Sequence, residues 1–234
     1  MKSPAIDRSL VSDQVFQVLC EAILSGSYRP GEKLPTQRRL AADFGVNMAP
    51  VREAIKRLEQ LRLLEVRQGD AMRVRDWHSH AGLDMVGHVI FGAAGLHRPT
   101  LSAVMEARRA MLAEVASLAA SRRRDAQSQR LVELAHQIAR AASAEAAQAL
   151  DFAFFSEMVE AAGNVVYTLI MNTLRDLYFA RAELFLAVVE DRAELAPLYS
   201  AAALAIAAND GPLAASRVAE LAALQTVSLQ KALG

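Results

Sequence analysis

The sequence predicts a mostly α-helical protein built in two parts. Hydrophobic residues make up 53 % of the 234-residue chain and aromatic residues only 6 %, a balance that favours close helix packing over a sheet sandwich. Apolar residues recur at steps of three and four along most of the chain, which is the period of a helix with one buried face. Strand-like alternation is confined to a short stretch before residue 76, and no convincing strand is predicted after it.

Three helices are predicted in the first part, at about 9–25, 36–43 and 48–62. The second and third are joined by a tight turn at Gly45, because a chain reversal there needs a residue that tolerates a positive φ. Asn47 is a suitable N-cap for the third helix. Two helices joined by a tight glycine turn are typical of the helix-turn-helix of DNA-binding proteins.

A small hairpin is predicted next, with strands at about 64–67 and 72–75 and a turn at Gly69. This hairpin corresponds to the wing of a winged helix-turn-helix. Residues 1–76 are therefore predicted to form a winged helix-turn-helix DNA-binding domain, followed by a linker at 77–82.

Residues 83–234 are predicted to form an antiparallel bundle of about seven helices joined by short connectors. Every long segment in this part has the helical period. The predicted helices span about 83–94, 99–122, 125–142, 146–162, 165–188, 192–208 and 211–231.

The charge of the chain differs between its two parts, although the total is neutral with 26 basic and 26 acidic side chains. Residues 1–76 hold 13 basic and 10 acidic side chains, whereas residues 77–234 hold 13 and 16. A mildly basic first part permits DNA binding. Cys20 is the only cysteine, and the start has no apolar segment typical of a secretory signal, so a cytoplasmic location is expected.

Short motifs in both parts carry a family resemblance. The first part resembles the GntR superfamily of bacterial transcription regulators through Pro30-Gly31-Glu32-Lys33-Leu34-Pro35, Arg38-x-Leu40-Ala41, Phe44-Gly45-Val46 and Val51-Arg52-Glu53-Ala54-Ile55-x-Arg57-Leu58-Glu59. The second part resembles the all-helical effector domain of the FadR subfamily through Glu106-Ala-Arg108-Arg109, Leu150-Asp151-x-x-Phe154-Phe155, Ala162-Gly163-Asn164 and Asp210. This resemblance implies a ligand-responsive transcription regulator that binds a near-palindromic operator as a homodimer.

The resemblance also implies which residues contact DNA: one in the first short helix, several at the start of the recognition helix, and the wing tip. In this sequence they are Arg38, Asn47, Met48, Ala49, Arg52, Gln68 and Gly69. The planar guanidinium groups of Arg38 and Arg52 suit guanine edges or phosphates. The glycine at the wing tip lets the backbone approach the minor groove.

Two of these positions depart from the family pattern. Met48 and Ala49 stand where members commonly carry an arginine and a hydroxyl residue, so two hydrogen-bond donors are missing. For Lys56 and Arg57, on the same helix, contact with DNA and a solvated helix face remain equally open.

Many domains of the subfamily hold a divalent metal through one aspartate and three histidines. The aspartate position matches Asp151, whereas the histidine positions match Phe155, Tyr199 and Leu221. A single carboxylate without these histidines is a poor site for zinc-like ions, and the five histidines of the chain lie elsewhere. Neither a metal nor any other cofactor is therefore predicted.

An apolar pocket in the second part suits an acyl chain, as in the subfamily members that bind long-chain acyl-CoA. Arg108 is a natural partner for a carboxylate, phosphate or thioester oxygen, although an ion pair with Glu106 in its own helix or another salt bridge within the bundle is equally open. For Phe155 and Leu221, plain core packing is the alternative. The expected effector is acyl-CoA or another organic acid, and the expected effector-binding residues are Arg108, Asp151, Phe155, Phe185, Tyr199 and Leu221.

Two other functions compete with a ligand-responsive regulator. One is a DNA-binding structural protein that has no ligand. The other is an all-α enzyme with a DNA-binding head, which the sequence disfavours because it shows no nucleophile–base pair and no glycine-rich phosphate loop. The chain is therefore predicted not to be an enzyme.

Overall fold

The computed structural model describes residues 8–67, 71–92 and 95–234, with side chains from residue 11 onward. These residues form two compact units, Met1–Thr100 and Leu101–Gly234. The first unit contains α1 (Arg8–Leu24), α2 (Gln37–Phe44), α3 (Met48–Gln60), β1 (Leu64–Glu65), β2 (Arg73–Val74), α4 (Trp77–His80), α5 (Val86–Ile90), β3 (Phe91–Gly92) and β4 (Gly95–Leu96). The second contains α6 (Arg98–Arg122, which begins at the end of the first unit), α7 (Asp125–Ala139), α8 (Ala144–Ala162), α9 (Val165–Ala180), α10 (Ala182–Phe185), α11 (Arg192–Ala207) and α12 (Gly211–Leu233).

The core of the first unit forms where α1 packs against α3. Both helices carry apolar residues at three- and four-residue steps, which places those residues on one face. The side chains that become buried there include Val15, Phe16, Leu19 and Ile23 from α1, and Val51, Ile55 and Leu58 from α3. These contacts confirm the mostly helical fold class for this unit.

A two-stranded sheet follows α3, and its strands lie within the two segments predicted for the wing. Leu64 pairs with Val74 and Glu65 pairs with Arg73 in an antiparallel ladder. The segment before α2 continues this ladder on one side, because Leu34 N donates to the carbonyl of Met72 at 2.9 Å. The predicted turn between the strands lies outside the described residues.

The segment after the wing differs from the prediction. Instead of a linker followed by one helix at 83–94, the chain forms the short helix α4, a 3-10 turn at Leu83–Met85, α5, and the paired strands β3 and β4. The prediction of no strand after residue 76 was therefore wrong. Gly92 and Gly95 explain the change, since glycine is a poor helix former and Gly95 takes a φ of 100°.

This segment packs against the core of the first unit. Met85 is 2 % exposed and belongs to the same apolar cluster as the residues of α1 and α3. The first compact unit therefore reaches residue 100, further along the chain than the predicted domain border at residue 82.

The second unit is a helical bundle. Its core forms mainly from the buried faces of α6, α7, α8, α11 and α12, on which alanines stand among larger apolar residues and let the helices approach closely. Side-chain caps begin several of its helices: Ser143 accepts a hydrogen bond at the start of α8, Asn164 at α9 and Asp210 at α12.

One predicted helix of the bundle is broken in the structure. The predicted helix at 165–188 divides into α9, α10 and a 3-10 helix at Leu186–Val189, with the break at Arg181. The buried side chain of Gln148 donates from Nε2 to the carbonyl of Ala182 at 2.8 Å, which holds the broken backbone in place. Across the described ranges, none of the helices combines the length and apolar character needed to cross a membrane.

Candidate functional site

The first candidate surface lies on α2 and the beginning of α3. Thr36 starts α2 by accepting a hydrogen bond from the backbone N–H of Arg39 at 3.2 Å. Gly45 ends it in the left-handed region, with a φ of 64° that a residue with a side chain adopts only at a cost. The backbone N–H of Val46 then donates to the carbonyl of Ala41 at 3.0 Å, which closes the turn and sets the direction of α3.

The outer faces of α2 and α3 present four of the predicted DNA contacts to solvent. Arg38 on α2 is exposed, as are Asn47, Ala49 and Arg52 at the start of α3. Within the described part of the chain, neither Arg38 nor Arg52 forms an ion pair or a side-chain hydrogen bond. Both guanidinium groups therefore have all their donors available for a partner.

Met48 has a different position from its exposed neighbours. Its side chain is half-buried and packs against the apolar core of the first unit. The residue thus contributes to holding the start of α3, which accounts physically for an apolar side chain at a position where the family commonly has an arginine.

The sequence left open whether Arg57 contacts DNA or lies on a solvated helix face. In the structure its side chain contacts other residues of the first unit. It forms an ion pair with Asp13 of α1, and its guanidinium carbon lies 4.1 Å from the centre of the Phe16 ring. These contacts fix α3 to α1. Lys56 is exposed on α3. Gln68 and Gly69, the predicted contacts of the wing tip, lie outside the described residues.

The second candidate site is a cleft of about 700 Å³, counted out to its open mouth, in the second unit. Its walls come from α6, α8, α9, α10 and the 3-10 helix after α10. Most of its lining is apolar: Val104, Met105, Met111, Leu112, Phe152, Phe155, Met171, Leu174, Leu177, Phe185 and Val188. Arg108, Asp151 and Tyr178 are its polar lining residues. A cleft of this composition suits a ligand with a large apolar part and one polar group.

Asp151 is the centre of a buried hydrogen-bond cluster beside this cleft. The carboxylate is 2 % exposed, and its Oδ1 accepts hydrogen bonds from the hydroxyl of Tyr199 and from Nε2 of Gln225, the latter at 2.8 Å. Its Oδ2 accepts a third from the hydroxyl of Tyr178 at 3.2 Å. These donors are the reason that a carboxyl group is tolerated in an apolar core.

The tyrosine hydroxyls of this cluster remain protonated donors. Burial raises the pKa of Tyr178 far above its usual value, and the charge of Asp151 raises it further. Burial and the same carboxylate also raise the pKa of Tyr199 well above its usual value. Neither phenol therefore ionises at physiological pH.

Arg108 faces the cleft from α6. Its Nη2 donates to Oε1 of Gln225 at 2.9 Å, and its guanidinium carbon lies 4.8 Å from the centre of the Phe155 ring. Its Nη1 is buried and has no hydrogen-bond partner among the described residues. A buried, charged donor without an acceptor is costly, so the guanidinium of Arg108 is the part of the cleft lining that most needs a ligand oxygen.

The structure brings four of the six predicted effector residues to the cleft. Arg108, Asp151, Phe155 and Phe185 line it. The other two, Tyr199 and Leu221, are fully buried in the core; Tyr199 is connected to the cleft through Asp151.

Sequence reasoning missed two residues that the structure places in the same cluster, Tyr178 and Gln225. Gln225 is fully buried, although it is polar. A signal was present in the sequence, because this amide lies four residues from Leu221 and from Leu229 on the buried stripe of α12.

The site does not fit the metal found in many members of the resembling subfamily. Asp151 supplies a carboxylate, but Phe155 and Leu221 have no donor atom, and Tyr199 gives its hydroxyl hydrogen to the carboxylate. Within the described residues, no group of three or more His, Cys, Asp or Glu side chains is placed to hold a metal ion. This donor set lacks the nitrogen and sulfur ligands that zinc-like ions require.

Comparison with protein families accounts for nearly the whole chain. Residues 11–74 match the model of bacterial regulatory proteins of the gntR family, and residues 76–223 match that of the FadR C-terminal domain. The chain is 37 % identical over 177 residues to the HTH-type transcriptional regulator Mce2R of Mycobacterium tuberculosis, covering 74 % of this chain and 72 % of that protein. It is 27 % identical over 165 residues to the fatty acid metabolism regulator protein of Yersinia pestis, covering 69 % of this chain and 66 % of that protein.

Solved structures show the same fold at low sequence identity. Lar of Listeria monocytogenes matches with a TM-score of 0.53 and 16 % identity over 99 % of both chains. McbR of E. coli matches with a TM-score of 0.50 and 18 % identity over the whole of both chains.

Proposed function

This chain belongs to the GntR family of bacterial regulatory proteins, with a FadR-type C-terminal domain, and we propose that it switches transcription in response to an organic acid. As a member of this family it is a DNA-binding transcription regulator and not an enzyme. The finer proposal is that a homodimer binds a near-palindromic operator in the cytoplasm, and that acyl-CoA or another organic acid is the effector.

The DNA side of the proposal is supported by the exposed face of α2 and α3. Arg38 and Arg52 have free guanidinium groups on adjacent helices. In the proposed complex, Arg52 near the beginning of α3 lies in the major groove and Arg38 contacts the DNA from α2. We propose that Asn47 and Ala49 lie against the same groove and that Gln68 and Gly69 reach the DNA from the wing. Two such units related by a two-fold axis match the two half-sites of a palindrome.

One observation carries the effector side: the buried Nη1 of Arg108 has no acceptor among the described residues, in a cleft whose other walls are mostly apolar. An acid or thioester with an apolar chain supplies both an oxygen for this atom and a chain for those walls. A likeness to the fatty acid metabolism regulator protein of Yersinia pestis agrees with such a ligand. Coupling between effector and operator needs only about 1–3 kcal/mol to change DNA affinity usefully.

The DNA proposal is tested by selecting duplexes that the purified protein binds from a random pool. The expected outcome is an enriched near-palindrome. Arg52→Ala is expected to weaken binding to this sequence by about 1–3 kcal/mol, because it removes one forked contact. The matched control is Arg217→Ala, which removes an exposed arginine paired with Glu220 in the second unit and should leave the affinity unchanged. An unaltered affinity of the Arg52 variant would contradict the proposed interface.

The effector proposal is tested by repeating the binding measurement with decanoyl-CoA and with decanoate. At least one is expected to change the operator Kd by about fivefold or more, the lower end of common allosteric couplings. If a palindrome is selected but no acyl ligand changes its affinity, the ligand-free DNA-binding protein becomes the better description.

A further inference from the structure

Gln225 occupies an unusual position between two opposite charges. Its side chain is fully buried on α12, with Oε1 accepting from Nη2 of Arg108 at 2.9 Å. Its Nε2 donates to Oδ1 of Asp151 and to the hydroxyl of Tyr199, both at 2.8 Å. Only this orientation of the amide satisfies the three contacts, since the reverse would set an N–H₂ group against a guanidinium and a carbonyl against a carboxylate.

The amide keeps the arginine and the carboxylate apart. Among the described residues, Arg108 and Asp151 form no direct ion pair, although both line the cleft. The carboxylate is instead occupied by two tyrosine hydroxyls and the amide. The positive charge of Arg108 is therefore in contact with a neutral carbonyl and a phenyl ring, and its buried Nη1 stays without an acceptor.

We infer that Gln225 is a positioning residue that holds Arg108 away from Asp151 and so makes the cleft selective for ligands with an anionic head. This inference rests on the proposed effector site. A charged donor next to an anion forms a stronger bond than one next to a neutral hydroxyl, because both partners of the bond are ionised. Without the amide, the buried carboxylate takes the place of the ligand and neutralises the arginine.

Gln225→Glu tests this role while preserving the side-chain shape. When ionised, the new carboxylate pairs with Arg108 and repels Asp151, so it competes with the ligand's acid group. When protonated, its O–H donates to Asp151 and its carbonyl accepts from Arg108, as the native amide does. The substitution therefore predicts a loss of acid selectivity that lowering the pH reverses, which a purely structural role of Gln225 does not predict.

The experiment measures the Kd of decanoate and of 1-decanol by titration calorimetry with the full chain, at several pH values from 6 to 8.5. Decanoate is ionised throughout this window, as carboxyl groups have pKa values near 4.3. The wild-type chain is expected to prefer decanoate over 1-decanol by about tenfold or more, the ratio that one charge-assisted hydrogen bond provides. In Gln225→Glu the preference should disappear at the upper end of the window and return toward its lower end.

Two further variants complete the test. Gln225→Met keeps the length of the side chain but has neither donor nor acceptor, so its preference should be lost at every pH even if Gln225→Glu fails to fold. The matched control is Gln127→Glu, another buried glutamine beside an arginine, because Gln127 caps α7 with Arg124 and does not line the cleft. This control should keep the wild-type preference.

The possible outcomes separate this inference from the function on which it rests. A folded Gln225→Glu or Gln225→Met chain that keeps the wild-type preference at every pH overturns the inference, as does a wild-type chain that binds decanoate and 1-decanol equally. In both cases the proposed effector cleft stands, since a ligand still binds. Failure of the wild-type chain to bind either probe overturns the proposed effector site and the inference together.

Discussion

Replacing Asp151 by alanine should destabilise the second unit strongly, because the carboxylate is the common acceptor of its buried polar cluster. The substitution leaves the hydroxyl of Tyr199, which is fully buried, without its carboxylate partner. It also removes one of the two acceptors of Gln225 Nε2, which keeps the Tyr199 oxygen. Tyr178 is half-buried, so water can replace the carboxylate as its acceptor. The loss of its hydrogen bond to Asp151 therefore contributes less.

The expected cost follows from these three donors and from the nearby cation. A buried donor left without an acceptor costs about 1–3 kcal/mol, and breaking a buried ion pair costs about 3–5 kcal/mol. Because Asp151 is held by several donors but forms no direct ion pair, we expect Asp151→Ala to cost about 2–4 kcal/mol. This is a large part of the roughly 5–15 kcal/mol that stabilises a typical domain.

Urea unfolding followed by far-ultraviolet circular dichroism measures this cost. Asp176→Ala, which removes an exposed carboxylate from α9, is the control and should stay within about 0.5 kcal/mol of the wild-type chain. A double-mutant cycle with Tyr199→Phe should give a coupling energy of about 1–3 kcal/mol, since the two groups contact each other directly. A cost below about 1 kcal/mol together with zero coupling would show that the cluster does not stabilise the bundle.

One further substitution, of Arg123, and one chemical modification, of Cys20, probe other buried groups. The largely buried Arg123 donates to the carbonyls of Ile206 at 3.2 Å and Ala207 at 2.5 Å at the end of α11, so Arg123→Ala should cost about 2–4 kcal/mol in the same unfolding assay. Asp125→Ala, which removes only its exposed ion-pair partner, should cost about 1 kcal/mol or less. Burial raises the pKa of the Cys20 thiol from 9.0 to about 11, so the folded chain holds roughly a hundredfold less thiolate than the unfolded chain at pH 8. Alkylation by iodoacetamide should be slower by at least this factor until urea unfolds the protein, and equal rates in both states would contradict the burial.

The helices of the first unit were predictable because the residues that begin and end them lie close together in the sequence. Thr36 provides a cap and Gly45 provides a left-handed turn within a short window of sequence, so α2 begins and ends close to the predicted residues. The apolar stripe of α3 is likewise complete in one stretch. Such signals depend on neighbours in the chain and not on tertiary contacts.

The segments that the sequence did not predict have weak local signals, and one of them depends on a distant contact. Strands β3 and β4 contain two residues each, too few for a visible alternation. The break at Arg181 interrupts an apolar pattern that continues on both sides, and it is held by Gln148 from another helix. Neither feature has a local signal strong enough to compete with the helical period.

The candidate cleft shows the same division between local and distant information. Arg108 and Asp151 were identified through a resemblance to known motifs, whereas Gln225 carries no motif. Its importance arises only when α12 brings its side chain between those two residues. A glutamine on an otherwise apolar helix stripe is nevertheless a usable signal of a buried polar cluster, because a buried amide needs partners for its polar atoms.

Asp151 also explains how a pocket of this subfamily is organised without its usual histidines. The resemblance implies that in the metal-binding members the aspartate at this position shares an ion with three histidines. Here Tyr199 and Gln225 direct hydrogen atoms toward the carboxylate, and a metal ion would have to displace both donors to gain a single anionic ligand. The same donors fix the carboxylate and, through the amide, the guanidinium of Arg108. A hydrogen-bond cluster therefore fixes the positions of Asp151 and Arg108 without an ion. The positive charge that lines the cleft is that of the Arg108 guanidinium.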